Sequence, residues 1–197
     1  MTSTSKSNPG HFFEDFFVGM PLVHATPQTL TEGDIALYRA LTGGRFVQYS
    51  SAEFARAAGY PGLPVDPLHA FHVVFGKSVP DVSLNAVANL GYADGRFSQA
   101  VLPGDTLNTV SEVIGVKDAG APAPDAVIPD LPKSVPGGEL AGFTPMASWD
   151  TALSGSAYMF EDYAVGEKIN HVDGMTVEEA EHQIATRLYQ NTAKVHF

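Results

Sequence analysis

The sequence predicts an α+β fold built from two copies of one unit, the second cut short. Three observations carry this. The chain repeats itself: FFEDFFVG at residues 12–19 returns as MFEDYAVG at residues 159–166, and the match runs without a gap from Phe13 on Phe160 to the last residue. Glu14, Asp15, Val18, Gly19, His24, Thr29, Glu32 and Leu41 meet identical residues on the way. Self-similarity at one fixed spacing marks duplicated structure, and a spacing this long means two domain copies, not a solenoid. Second, PLHAFHVVFGKSV at residues 67–79 has a helical face of Leu68, Phe71 and Phe75, with Val73 and Val74 beside it. A helix apolar nearly all round is a buried one. Third, Leu107, Thr109, Ser111, Val113 and Gly115 alternate with Asn108, Val110, Glu112, Ile114 and Val116, the two-residue period of a partly buried strand.

The elements follow in order. MTSTSKSNPGH is a polar lead-in without the apolar core of a signal peptide. Gly19-Met20-Pro21 is a turn and Pro21 to Thr29 is extended. TEGDIALYRALTGG at residues 31–44 is a helix: Thr31 and Asp34 form a capping box, Ile35, Tyr38 and Leu41 recur at helical spacing, and Gly43-Gly44 ends it. Residues 50–60 form a second, short helix stopped by Gly59, and YPGLPVDP is a turn. Pro67 suits the first turn of the buried helix, with Asp66 as its N-cap. Residues 85–92 are strand-like, and Pro103-Gly104-Asp105 is a turn. The first unit therefore occupies residues 1–117, and residues 118–157 are a Pro-rich linker anchored at Trp149. The second unit, residues 158–197, repeats the turn at Gly166, an extended piece and a helix over residues 177–190 with Thr176 and Glu179 as its capping box.

A net charge of −11 repels nucleic-acid backbones and anionic membranes, so neither is an expected partner. No apolar run is long enough for a membrane span. Absence of cysteine excludes disulfides and thiolate metal sites and fits a reducing, cytoplasmic setting. No Gly-rich phosphate loop or basic cluster is present, and no cofactor is expected.

NPGHFFEDF, LTEGDIALYRAL, FHVVFGKSVPDVSLNAVANLGYA, PGDTLNTVSEVIG and DYAVGEKINHVDGMTVEEAEHQIATRLYQNTAKVHF resemble the MaoC-like branch of hotdog-fold dehydratases, in particular the double-hotdog mesaconyl-CoA hydratases, also called β-methylmalyl-CoA dehydratases. The resemblance implies a long helix wrapped by an antiparallel sheet in tandem units. It also implies a lyase acting on a CoA thioester, with no cofactor and no metal. The chain departs from the pattern after Val116, where further strands would close the first unit, and after His196, where the second would continue.

Hydrating an enoyl thioester needs a group that activates water, one that protonates the α-carbon, and a donor for the enolate oxygen. In the resembling family the loop after the first helix reads D-x-N-P-x-H. In the first unit Gly44 and Tyr49 stand at the Asp and His positions, and neither serves as a base near neutral pH. In the second unit Asn191 and His196 stand there. His196 is therefore the expected acid/base. Asn191 cannot be a base and is expected to orient water or a carboxylate by hydrogen bonds. The first unit is then a structural half and the second the catalytic one. His69 and His72, three apart on a helix, lack an evident third metal ligand and sit among apolar neighbours, which favours a core role. His24 and His171, equivalent in the two units, point to structure. The alternative from another class is a non-catalytic acyl-CoA-binding or structural protein that kept the fold and lost the site. Unclosed sheets expose edges, which invite pairing, so a homodimer is expected. Further protein, near Lys117–Asp118, after Phe197 or in a complementing chain, is expected to complete both sheets.

Overall fold

The computed structural model describes residues 7–92, 95–117, 147–172 and 174–196. The Lys117–Asp118 junction and most of the predicted linker lie outside these residues. From the N-terminal side, a 3-10 turn at Phe13–Asp15 leads into β1 (Pro21–Val23) and β2 (Gln28–Thr29). Three helices follow, α1 (Glu32–Thr42), α2 (Val47–Ser50) and α3 (Ala52–Ala57), and then the long α4 (Pro67–Val82). Next come β3 (Thr106–Leu107), β4 (Val110–Glu112), α5 (Thr151–Ser154), a 3-10 turn at Phe160–Asp162, α6 (Glu179–Leu188) and a last 3-10 turn at Lys194–His196.

The caps form as their side chains require. Thr31 N–H donates to Asp34 Oδ2 at 2.8 Å while Asp34 N–H donates back to Thr31 Oγ1 at 3.3 Å, and Gly43 closes α1 at φ 62°. Asp66 takes the Leu68 N–H at 2.8 Å at the head of α4. Ser51 is extended and caps α3 through the Phe54 N–H, so the helix expected over residues 50–60 is two short ones broken at that residue. Helix α4 runs past residue 79 to Val82 and carries Pro80 within its last turn. The turn at residues 103–105 forms, with Gly104 at φ 97° and Asp105 accepting the Leu102 N–H at 2.8 Å.

The antiparallel pairs are β1 with β4, Leu22 opposite Ser111, and β2 with β3, Gln28 opposite Leu107. They lie against α4 and bury Leu30, Ile35, Val65, Ala70 and Val73. Each fully buried Leu or Val side chain stabilises by roughly 1.5–3 kcal/mol. His24, buried between sheet and helix, ties the two: its Nδ1 meets Asp81 Oδ2 and its Nε2 meets Ser111 Oγ, each at 2.8 Å.

Two strand expectations are corrected. The run over residues 107–116 is regular strand only at residues 106–107 and 110–112, with further backbone bonds joining Thr109 to His24 and Val113 to Gly19 and Met20. Residues 85–92 form no strand, and Val87 and Leu90 stand 92% and 90% exposed. Strand composition does not make a strand without a neighbour to accept its backbone hydrogen bonds. The segment instead lies over α4, where Tyr92 meets Phe71 and Phe75 edge-on at ring separations of 5.1 and 5.5 Å. Phe71, Val74 and Phe75 remain half-buried. The extended piece expected after Gly166 is likewise exposed and unpaired in the described residues before α6.

The duplication is structural as well as textual. Phe12 N–H reaches Asp15 Oδ2 at 2.8 Å and Met159 N–H reaches Asp162 Oδ2 at 2.7 Å. Gly19 and Gly166 sit at φ 84° and 86°. Helices α1 and α6 start at the equivalent residues Glu32 and Glu179 and pack on one another. The capping residues of α6 differ from expectation: the Glu178 N–H is held by Glu181 Oε2 at 2.9 Å, the pair equivalent to Thr31 and Asp34, in place of Thr176 with Glu179. Trp149 packs edge-on against Phe54 at 5.2 Å, as an anchor would.

Candidate active site

Helix α6 ends at Leu188, and its next turn carries the site. Gln190 takes the left-handed conformation, φ 53°, at the position where the first unit has Gly43. An ordinary side chain held there costs on the order of 1–2 kcal/mol. Its side chain is tied down on both sides: the Lys77 ammonium of α4 donates to Gln190 Oε1, and Gln190 Nε2 donates to Gln28 Oε1. Lys77 is buried and also reaches Thr26 Oγ1 at 3.3 Å. The loop thus hangs from the central helix and from β2 of the first unit.

Close approach makes this possible. A Cβ on Gly76 would lie 1.9 Å from the Tyr189 carbonyl oxygen and 3.3 Å from the Asn191 nitrogen, so glycine lets α4 touch the loop backbone. Tyr189 stacks on His72 with ring centroids 4.6 Å apart, and His69 stacks on Tyr38 at 4.5 Å. Burial lowers the pKa of both histidines, which keeps these rings neutral aromatic packing partners. Neither nitrogen of His69 has a hydrogen-bond partner among the described residues.

Burial also lowers the Lys77 pKa from its ordinary 10.5. The unfolded chain then holds that proton more tightly than the folded one, so stability rises with pH between the depressed folded value and 10.5. Lys77→Met is expected to flatten that rise in urea midpoints compared between pH 7 and 10. An unchanged slope would show that Lys77 does not titrate there.

The loop and α4 enclose a cavity of about 750 Å3. Val79, Val82 and Leu90 give it an apolar side, while His72, Tyr92, Tyr189, Asn191, His182 and His196 bring polar atoms to it. The two expected site residues therefore share one cavity. Asn191 Oδ1 accepts the Ala193 N–H at 3.0 Å and shapes the 3-10 turn that presents His196, which leaves the amide nitrogen as the group Asn191 offers a ligand. His196 Nδ1 lies 3.3 Å from His182 Nε2, and its carbonyl accepts from Gln183 Nε2 at 3.4 Å.

Sequence reasoning missed His182. The signal was present: its equivalent in the first unit is Ile35, a buried core residue, whereas position 182 carries an exposed imidazole. The N-terminus of α4, by contrast, does not line this cavity. In the first unit, Gly44 and Tyr49 border a space of only about 10 Å3, closed in by Tyr38, Phe46 and Asp66. Burial raises the Tyr49 hydroxyl above its usual range.

A family model described as "MaoC like domain" matches residues 15–125. The chain belongs to the MaoC-like family. Among relatives of this MaoC-like chain, a β-methylmalyl-CoA dehydratase of Chloroflexus aurantiacus is 50% identical over 232 residues, covering 98% of this chain and 66% of that protein. A mesaconyl-CoA hydratase of Cereibacter sphaeroides is 48% identical over 233 residues, covering 98% and 67%. The crystal structure of a MaoC domain protein dehydratase from Chloroflexus aurantiacus superposes with a TM-score of 0.84 at 50% identity, over 98% of this chain and 66% of that one. A Mycobacterium tuberculosis protein described as having a double hotdog fold superposes with a TM-score of 0.60 at 22% identity, over 95% and 68%; at that identity it speaks for the fold alone. The hotdog α+β class expected from the sequence is thus shown. The MaoC-like chain spans about two thirds of the length of the curated relatives it matches. The match to the Chloroflexus protein runs over 232 residues against a chain of 197, so that relative carries segments inside the matched region with no counterpart here.

Proposed function

We propose that the chain is a hydro-lyase that reversibly hydrates mesaconyl-CoA to β-methylmalyl-CoA, or a similar branched enoyl-CoA, on its second unit. One observation carries this reading. The two positions of the second unit's loop share a cavity of about 750 Å3, whereas the equivalent positions of the first unit border a closed space of about 10 Å3. A volume of several hundred Å3 with apolar walls and a few convergent polar groups suits a small-molecule substrate. The first unit is then the structural half and the second the catalytic one. The names carried by the two close relatives support this substrate class.

Water adds at the β-carbon of the enoyl thioester, the electron pair of the double bond moves toward the thioester oxygen, and the α-carbon takes a proton. In this reading His196 handles the proton transfer with water. The Asn191 amide nitrogen orients the water or a carboxylate of the substrate. Val79 and Val82 of α4 give the acyl chain an apolar wall. Mixing the protein with mesaconyl-CoA should bleach the conjugated enoyl-thioester absorbance. Tight binding of mesaconyl-CoA without any bleaching would favour the non-catalytic acyl-CoA-binding alternative, which the Asn191–Ala193 hydrogen bond also suits.

The reading includes a dimer. Val110 of β4 stands 72% exposed in a two-stranded sheet with open edges, and unpaired edge backbone is a template for pairing with another chain. Light scattering at micromolar concentration should give at least twice the mass of 20.9 kDa; a monomer would contradict it. A cytoplasmic setting suits a chain without cysteine. No helix of the described residues is long and apolar enough to cross a membrane.

A further inference from the structure

We propose that His182 is the second proton-handling group of this site and forms with His196 a pair that shares one proton. The inference rests on the reaction proposed above. That reaction moves two protons, one from water and one to the α-carbon, and the two loop positions supply one acid/base between them. Asn191 cannot titrate, and its oxygen already accepts the Ala193 N–H. Across the cavity from α4, His182 Nε2 stands 3.3 Å from His196 Nδ1, the two rings nearly perpendicular at 84°. Both rings line the cavity. The contact uses one nitrogen of each ring and leaves His196 Nε2 and His182 Nδ1 for substrate and water.

A second feature sets His182 apart. Its equivalent in the first unit is Ile35, buried in the core. His182 itself is exposed, so its imidazole fills no packing role at this helix position. The histidine occurs in the unit whose loop carries His196, within reach of that ring.

With one proton shared, the step balances. Both rings are neutral, with one proton in the contact and one on an outward nitrogen. The bare outward nitrogen takes a proton from water as the oxygen bonds to the β-carbon. The double-bond electrons move to the thioester oxygen, and they return as the other outward nitrogen gives its proton to the α-carbon. The contact proton shifts across Nε2···Nδ1 so that both rings end neutral, and exchange with solvent restores the starting tautomers. Other titratable groups facing the pair are His72 of α4, Tyr92 of the segment over α4, and Tyr189. Glu178 and Glu179 lie one turn before His182 on α6, and Lys194 opens the turn that ends in His196.

The test uses the full chain as parent, His182→Gln, His196→Gln and the double variant. His182→Gln is expected to lower kcat for mesaconyl-CoA by on the order of 100-fold, with KM within about threefold. The double variant should be no more than about threefold worse than His196→Gln, because groups that act as a unit are not additive. Imidazole 15N shifts followed against pH should show two coupled steps in the parent and one simple step for His196 in His182→Gln. Loss of activity in His196→Gln with kcat kept within about threefold in His182→Gln overturns the pair and leaves the proposed reaction standing. Full activity in both variants overturns the pair and also the placement of the chemistry on this loop. If the parent does not turn over, the shifts decide: independent one-proton curves for the two rings overturn the pair.

Discussion

Replacing His196 by alanine is expected to abolish most turnover of mesaconyl-CoA, lowering kcat by on the order of 100- to 10,000-fold. At about 1.4 kcal/mol per factor of ten, that loss is about 3–5 kcal/mol of transition-state stabilisation. The fold should survive. His196 is only partly buried and holds its place through His182 and Gln183, so the melting temperature should stay within about 2 °C, as surface substitutions usually allow. Steady-state kinetics beside a thermal melt checks both halves. A variant that keeps its kcat would remove the second unit's loop from the chemistry. One that loses activity only by unfolding would make His196 structural.

Gly76→Ala is expected to damage stability and activity together. The added methyl would lie 1.9 Å from the Tyr189 carbonyl oxygen, a backbone atom at the end of α6. Backbone cannot rotate aside as a flexible side chain would. Either α4 separates from the loop or the loop moves. Overpacking of this kind typically costs about 1–3 kcal/mol, occasionally more, and in a chain of this size each kcal/mol lowers the melting temperature by about 2–4 °C. A fall of about 2–12 °C is expected. Movement of the loop would also pull Gln190 off Lys77 and Gln28, and with it Asn191 and His196. Kinetics of the folded fraction should then show a lower kcat as well. A variant with the parent's melting temperature would show that α4 and the loop do not meet this closely.

Much of the fold was legible because it is written locally. Thr31 with Asp34, Asp66 before Pro67, and Pro103-Gly104-Asp105 each need only side chains a few residues apart, and each forms as expected. The duplication was legible because it runs ungapped. It held more than was drawn from it: the register that pairs Thr31 with Glu178 and Asp34 with Glu181 already pointed to the residues that cap α6. The same register set His182 against Ile35.

What the sequence did not disclose depends on distant partners. Residues 85–92 have the composition of a strand, but a strand is defined by the neighbour that accepts its hydrogen bonds, and none lies beside them among the described residues. The tie from Lys77 through Gln190 to Gln28 joins residues more than a hundred positions apart. No local pattern marks it. His69 and His72 are three apart, which reads equally as ligand spacing and as a helix face. Only the rings of Tyr38 and Tyr189 stacked on them show the packing role.

The proposed chemistry resides in the second unit's loop and not in the first's. The most direct test compares kcat/KM for mesaconyl-CoA in Tyr49→Phe and His196→Gln, the same loop position in the two units. Tyr49→Phe is expected to stay within about twofold of the parent while His196→Gln falls by at least about 100-fold. A large loss in Tyr49→Phe with His196→Gln unaffected would contradict it and move the site to the first unit.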